Sequence, residues 1–155
     1  MMPELREDRR KEITTAKKAE QNANVTLPFT VVTLADGTRL AGQLADDAIA
    51  ADSSLTGTQG IEFSGGKNSA DKLDKTYRLT EAVASLDPSV TAVEFLDANE
   101  EPVILSFSDA LSVQMAIGKI LKDSKFREAR LHKEIAAVTG NTPEEVEAAL
   151  NAIAW

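Results

Sequence analysis

The sequence predicts an α+β fold: an antiparallel sheet of short strands packed against a C-terminal three-helix unit, with an N-terminal helical arm. Three observations lead there. Short Val- and Thr-rich runs separated by turn residues occupy the first two thirds, where Ala35-Asp36-Gly37 supplies the positive φ of a tight hairpin. From Ser108 onward apolar residues recur at helical spacing, with helix start and stop signals between them. The opening stretch, Glu4 to Asn22, is highly charged and free of Gly, which favours helix. Three parts follow, 1-24 as arm, 25-107 as strand-rich part and 108-155 as helical part, with 25-155 forming one compact domain.

Between Glu4 and Asn22 only Leu5, Ile13, Ala16 and Ala19 are apolar, a stripe too thin to hold a helix on its own domain. The expectation is a solvated helix, or one that gains order by docking on a neighbouring chain. Pro28 to Leu34 and Thr38 to Leu44 form the hairpin flanking Asp36-Gly37. Asp46 to Ala51 suits a short helix and Ile61 to Phe63 a short strand. The run Ser64-Gly65-Gly66-Lys67-Asn68-Ser69 is loop-like. Thr76 to Leu79 reads as a strand, and Thr80 to Leu86 as a short helix stopping ahead of Asp87-Pro88. Val90 to Leu96 and Pro102 to Phe107 are strands joined by a polar tip. Val103 to Phe107 is so apolar that both faces should be covered.

Ser108 suits the N-cap of a helix reaching Lys122. Its two apolar patches, Val113/Ala116/Ile117/Ile120 and Leu111/Met115, suggest a helix sandwiched between the sheet and something else. A second helix spans Ser124 to Val138, stopped by Gly140 as a left-handed residue. The third has Thr142 as cap, Pro143 at its first position and Glu145 completing a capping box, then Val146, Ala149, Leu150 and Ile153 on one face.

Composition narrows function. The net charge of −8 argues against broad nucleic-acid or anionic-membrane binding, since phosphate contacts need clustered Lys and Arg. Without cysteine there are no disulfides, thiolate metal sites or thiol nucleophile. No segment is apolar enough for a membrane span or a secretion signal, so synthesis in the cytoplasm is expected. Gly66-Lys67 fails as a phosphate loop, because Ile61 stands where Gly is required and Asn68 where Ser or Thr is. Asp97, Asn99 and Glu101 have the opening spacing of a calcium loop, but Pro102 replaces its Gly and Ser108 its bidentate Glu. His132 has no partner carboxylate or nucleophile nearby in sequence and reads as structural. The basic run from Lys119 to Lys133 reads as a solvated face or a dock for an acidic neighbour. No catalytic, cofactor-binding or metal-ligating residue emerges. Leu5, Ile13, Ile153 and Trp155 are the interface candidates.

Phe95-Leu96-Asp97-Ala98-Asn99, Val103-Ile104-Leu105-Ser106 leading into Asp109, Phe126 to Ile135, Ala136-Ala137-Val138-Thr139 and the closing Ala152-Ile153-Ala154-Trp155 form a recognisable series. It resembles the C-terminal unit of a domain of unassigned function common in tail-fibre-associated proteins of tailed bacteriophages and prophages. The charged first helix and the Thr-Leu-Ala-Asp-Gly turn are similar to that family's opening. Where Phe95 stands, such proteins often carry Trp, and Ala45 to Lys75 lies outside the likeness. The resemblance implies a non-enzymatic virion component of the tail or tail-fibre region, assembled in the host cytoplasm. It would act as an adaptor toward other phage tail proteins and as a homo-oligomer, with no cofactor, nucleic acid or membrane partner. Two alternatives remain: a tail or fibre assembly chaperone outside the virion, and a small enzyme using Ser64 to Asp74 as a lid.

Overall fold

A computed structural model describes residues 2–155. It is α+β, with five helices and a mixed five-stranded sheet among the described residues. The order is α1 (Met2–Asn22), β1 (Val25–Thr33), β2 (Arg39–Ala41), α2 (Gln43–Ala51), β3 (Thr58–Phe63), α3 (Lys67–Leu86), β4 (Ala92–Leu96), β5 (Pro102–Ser106), α4 (Phe107–Ala136) and α5 (Pro143–Asn151). The chain divides into two units. Ala23–Gly118 forms a strand-rich unit, and α1 together with Lys119–Trp155 forms a helical one. Helix α4 therefore contributes its first turns to one and its remainder to the other.

In the strand-rich unit the sheet order is β3-β1-β2-β5-β4. The two hairpins form as their turns dictate. Gly37 has φ 89, and the Asp36 carboxylate accepts the Thr38 amide at 2.9 Å, closing the β1–β2 turn. The β4–β5 pair runs from Ala92↔Ser106 to Leu96↔Pro102. The expectation of an all-antiparallel sheet is corrected at one seam: β2 and β5 pair parallel, through Leu40↔Ile104. Parallel neighbours need a long crossover, here α2, β3, α3 and β4, and no local turn chemistry announces it. The sheet also curls until its edges meet. The Ala98 amide, just past β4, donates to the Glu62 carbonyl of β3 at 2.8 Å, and the Phe63 and Phe95 rings meet edge-on at 6.5 Å. Phe63, Phe95, Val93, Val103 and Leu105 are fully buried. Ile104 is half-buried, so β5 is covered completely on one face only.

The stretch expected to be a loop, a strand and a short helix is instead the single 20-residue helix α3. Its inner positions Leu73, Tyr77, Thr80 and Ala84 repeat every three to four residues, and Tyr77 meets Phe107 edge-on at 5.8 Å. Gly66, at φ 93, turns the chain into it. The Thr-Tyr pair in its middle has high strand propensity, which packing overrode.

Helix α4 begins earlier and ends later than expected. Its cap is Ser106, not Ser108: the Ser106 hydroxyl accepts the Asp109 amide at 3.1 Å. Asp109 in turn accepts the Gln43 amide at 2.8 Å, so one carboxylate serves the starts of α4 and α2. A Cβ on Gly42 would run into that carboxylate, and Gly42 also holds φ 69, which explains glycine there. No break occurs near Asp123-Ser124, so the expected three consecutive C-terminal helices are two, α4 and α5. No residue type in that stretch forbids helix, and a charged interval between apolar patches is not a stop signal. The helix ends at Ala136, and Gly140 lies outside the left-handed region. Helix α5 is capped by Thr142 as expected, while the Glu145 carboxylate reaches one residue further back than a capping box requires. Thr142 Oγ1 accepts the Glu145 amide at 3.2 Å, and the Glu145 carboxylate accepts the Asn141 amide at 2.8 Å.

Candidate functional site

The helical unit uses the residues that the sequence offered as partner surface. Ile13 packs with Leu131, Ile135, Val146 and Leu150 in a buried cluster, flanked by Leu5, Val138, Ile153 and Trp155. Helix α1 is not a solvated arm. Its thin apolar stripe is supplemented by polar clasps that sequence periodicity does not display. Arg6 donates to the Val138 carbonyl at 2.8 Å, and Arg9 Nε to the Ile153 carbonyl at 2.7 Å, each just past a helix C-terminus where carbonyls lack partners. Lys17 pairs with Glu128 at 3.0 Å. Burial pushes the Glu128 carboxyl up, but the Lys17 and Thr14 hydrogen bonds and the Lys17 and His132 charges hold it below the ordinary value. Trp155 donates its indole N–H to Glu20 at 2.6 Å, and Arg127 stacks on its ring at 4.6 Å. Of the four interface candidates, Ile13 is therefore buried within its own chain, while Leu5, Ile153 and Trp155 are half-buried around it.

Among the described residues most of the apolar surface left open lies elsewhere, on the strand-rich unit, Phe126 of α4 being the exposed large apolar side chain of the helical one. Leu79, Val83 and Leu86 occupy the outer face of α3 at i, i+4 and i+7, and are 66%, 44% and 89% exposed. On α4, Ala110, Val113 and Ile117 are buried while Leu111 and Met115 remain open. The second apolar patch noted in sequence is thus real, and within this unit nothing covers it. The α3 face was missed because Leu79 fell in an expected strand. The i, i+4, i+7 spacing was the available signal.

The polar tip Asp97-Ala98-Asn99-Glu100-Glu101 is a structural turn. Asp97, buried, accepts the amides of Asn99 and Glu101 at 2.9 and 3.0 Å and Arg39 at 2.9 Å. Burial raises its pKa, while the Glu101 amide, the Arg39 guanidinium and the Asn99 amide lower it further, leaving it below 3.8. Among the described residues no group of three or more His, Asp or Glu is placed to hold a metal ion, and no helix is long and apolar enough to cross a membrane. His132 lies half-buried on α4, its Nε2 without a hydrogen-bond partner. The Ser64 to Asp74 stretch is largely the start of α3 rather than a lid. No family model, curated protein or solved structure matches the chain.

Proposed function

We propose that the protein is a non-enzymatic structural component of the tail or tail-fibre region of a tailed bacteriophage, an adaptor that joins neighbouring proteins through surface contacts. The family is suggested by the motifs from Phe95 to Trp155; the mode of action is suggested by the open face of α3. That face carries the reading. Each large aliphatic side chain left in water forgoes about 1.5–3 kcal/mol of burial, and three in register on one helix form a docking stripe. The contact surface moves accordingly, from the chain ends to Leu79, Val83 and Leu86, with Leu111 and Met115 as a second patch.

Mass spectrometry of purified particles beside infected-cell lysate tests the reading. Presence in particles at stoichiometric amounts is the expected result, and Leu79→Gln with Leu86→Gln should reduce incorporation while leaving the fold unchanged. Abundance in lysate with absence from particles would transfer the protein to the assembly-chaperone role. Incorporation unaffected by the two substitutions would remove α3 as the contact.

A further inference from the structure

Charge is divided between the units as sharply as secondary structure is. The helical unit carries twelve Lys and Arg against eleven Asp and Glu, a net +1, while the strand-rich unit carries five against fourteen, a net −9. Within the helical unit the cations are also concentrated. Arg10, Lys11 and Lys18 of α1 line one depression and Arg130 and Lys133 of α4 another, with His132 in the wall of both and Glu7 as the sole acid. Among the described residues Lys11, Lys18, Arg130 and Lys133 have no salt-bridge partner, and Arg10 reaches Glu7 only at 3.9 Å. Like charges collected on one face repel unless an anionic surface neutralises them.

We infer that this basic face docks on the strand-rich unit of a second copy of the chain. The acidic counterpart is supplied by the same molecule. From Leu79 to Gly118 there is no Lys or Arg and there are seven acids. Glu94 and Glu101 are exposed there and line a shallow depression with Arg39, Pro102 and Ile104. Arg39 lies 3.6 Å from Glu101 and 2.9 Å from the buried Asp97, so Glu94 is the acid of this depression without an ion-pair partner among the described residues. Basic face against acidic face lets two copies pair reciprocally about a two-fold axis, or add head to tail into a ring or a short filament. The net charge of −8 opposes approach at long range, and local complementarity prevails only at contact. A docking face for other copies is compatible with a tail component but does not depend on one, because the test uses the purified chain alone.

Sedimentation velocity of the full chain, across a concentration series at about 0.01 M and about 0.5 M salt, measures the association. The expected result is oligomers at low salt that dissociate at high salt. Lys11→Glu, Lys18→Glu and Arg130→Glu together should weaken self-association by about tenfold or more. Glu94→Lys with Glu101→Lys should do the same, and an equimolar mixture of the two variants should associate again, because reversed faces complement each other. Circular dichroism checks that both variants fold; if either does not, the salt series on the unmodified chain decides alone. A monomer at low salt overturns the inference. So does association that survives both salt and charge reversal, which would point to the apolar face of α3. Retention of a short oligonucleotide by a chain that does not self-associate would overturn it in favour of a nucleic-acid contact.

Discussion

The two units solve the same problem with different means. The strand-rich unit is held by large, fully buried side chains from four strands, among them Phe63, Phe95, Val93, Val103 and Leu105. The helical unit buries five aliphatic residues and closes α1 with charged groups that reach into the ends of other helices. The contrast teaches that a helix with a sparse apolar stripe can still be an integral element. An Arg bonded to an orphan helix-end carbonyl contributes about 1.5–3 kcal/mol, comparable to burying a leucine. It teaches also that apolar count misleads about exposure. The unit with the richer core is the one that leaves Leu79, Val83 and Leu86 in water.

The sharpest break in that contrast comes from the apolar side. Phe95→Ala removes a buried ring packed on Phe63 and should cost about 3–5 kcal/mol, read as a fall in the urea midpoint. A loss below 1 kcal/mol would mean the curled sheet does not depend on that contact. On the polar side, Arg9→Ala should cost about 1.5–3 kcal/mol. Faster amide hydrogen exchange should then appear in α1 while β4 and β5 stay protected. Exchange rising equally in both units would show that the clasp is not local.

Asp97 adds a pH dependence to the strand-rich unit. Its carboxyl titrates lower in the folded chain than in the unfolded one, so its contribution is complete above the ordinary value of 3.8 and is lost as pH falls through the lower, folded value. Asp97→Asn should therefore cost about 1–3 kcal/mol at neutral pH and flatten the acid limb of a stability profile. An acid limb as steep as that of the unsubstituted chain would assign the effect to other carboxylates. The smallest effect is at α5, where Thr142→Ala should cost about 1 kcal/mol through loss of the cap. A thermal melt that does not move would mean that the Glu145 carboxylate bonded to Asn141 suffices.

What was legible followed from short-range chemistry. Asp36-Gly37 predicted one hairpin, Pro102 the start of β5, and Thr142-Pro143 with Glu145 the start of α5. The failures share a cause. Helix α3 was split because Thr76-Tyr77 favours strand locally, and α4 was cut at a charged interval that a long helix tolerates. The candidate surface was half legible. Leu111 and Met115 read as a patch facing something other than the sheet and are open, whereas Ile13, on a stripe that looks too thin to hold α1, and the terminal Trp155 read as outward and are packed within the chain.

By itself the sequence determined the α+β class, the hairpins, the capped last helix and the cation-free run from Leu79 to Gly118, since each is written in residues close together in the chain. Only the tertiary structure decided that β2 and β5 run parallel, that α1 joins the C-terminal helices, and that the open apolar face is on α3. Those outcomes rest on contacts between residues far apart in the chain, such as Leu40 with Ile104 and Arg9 with Ile153, whose energies no local pattern records.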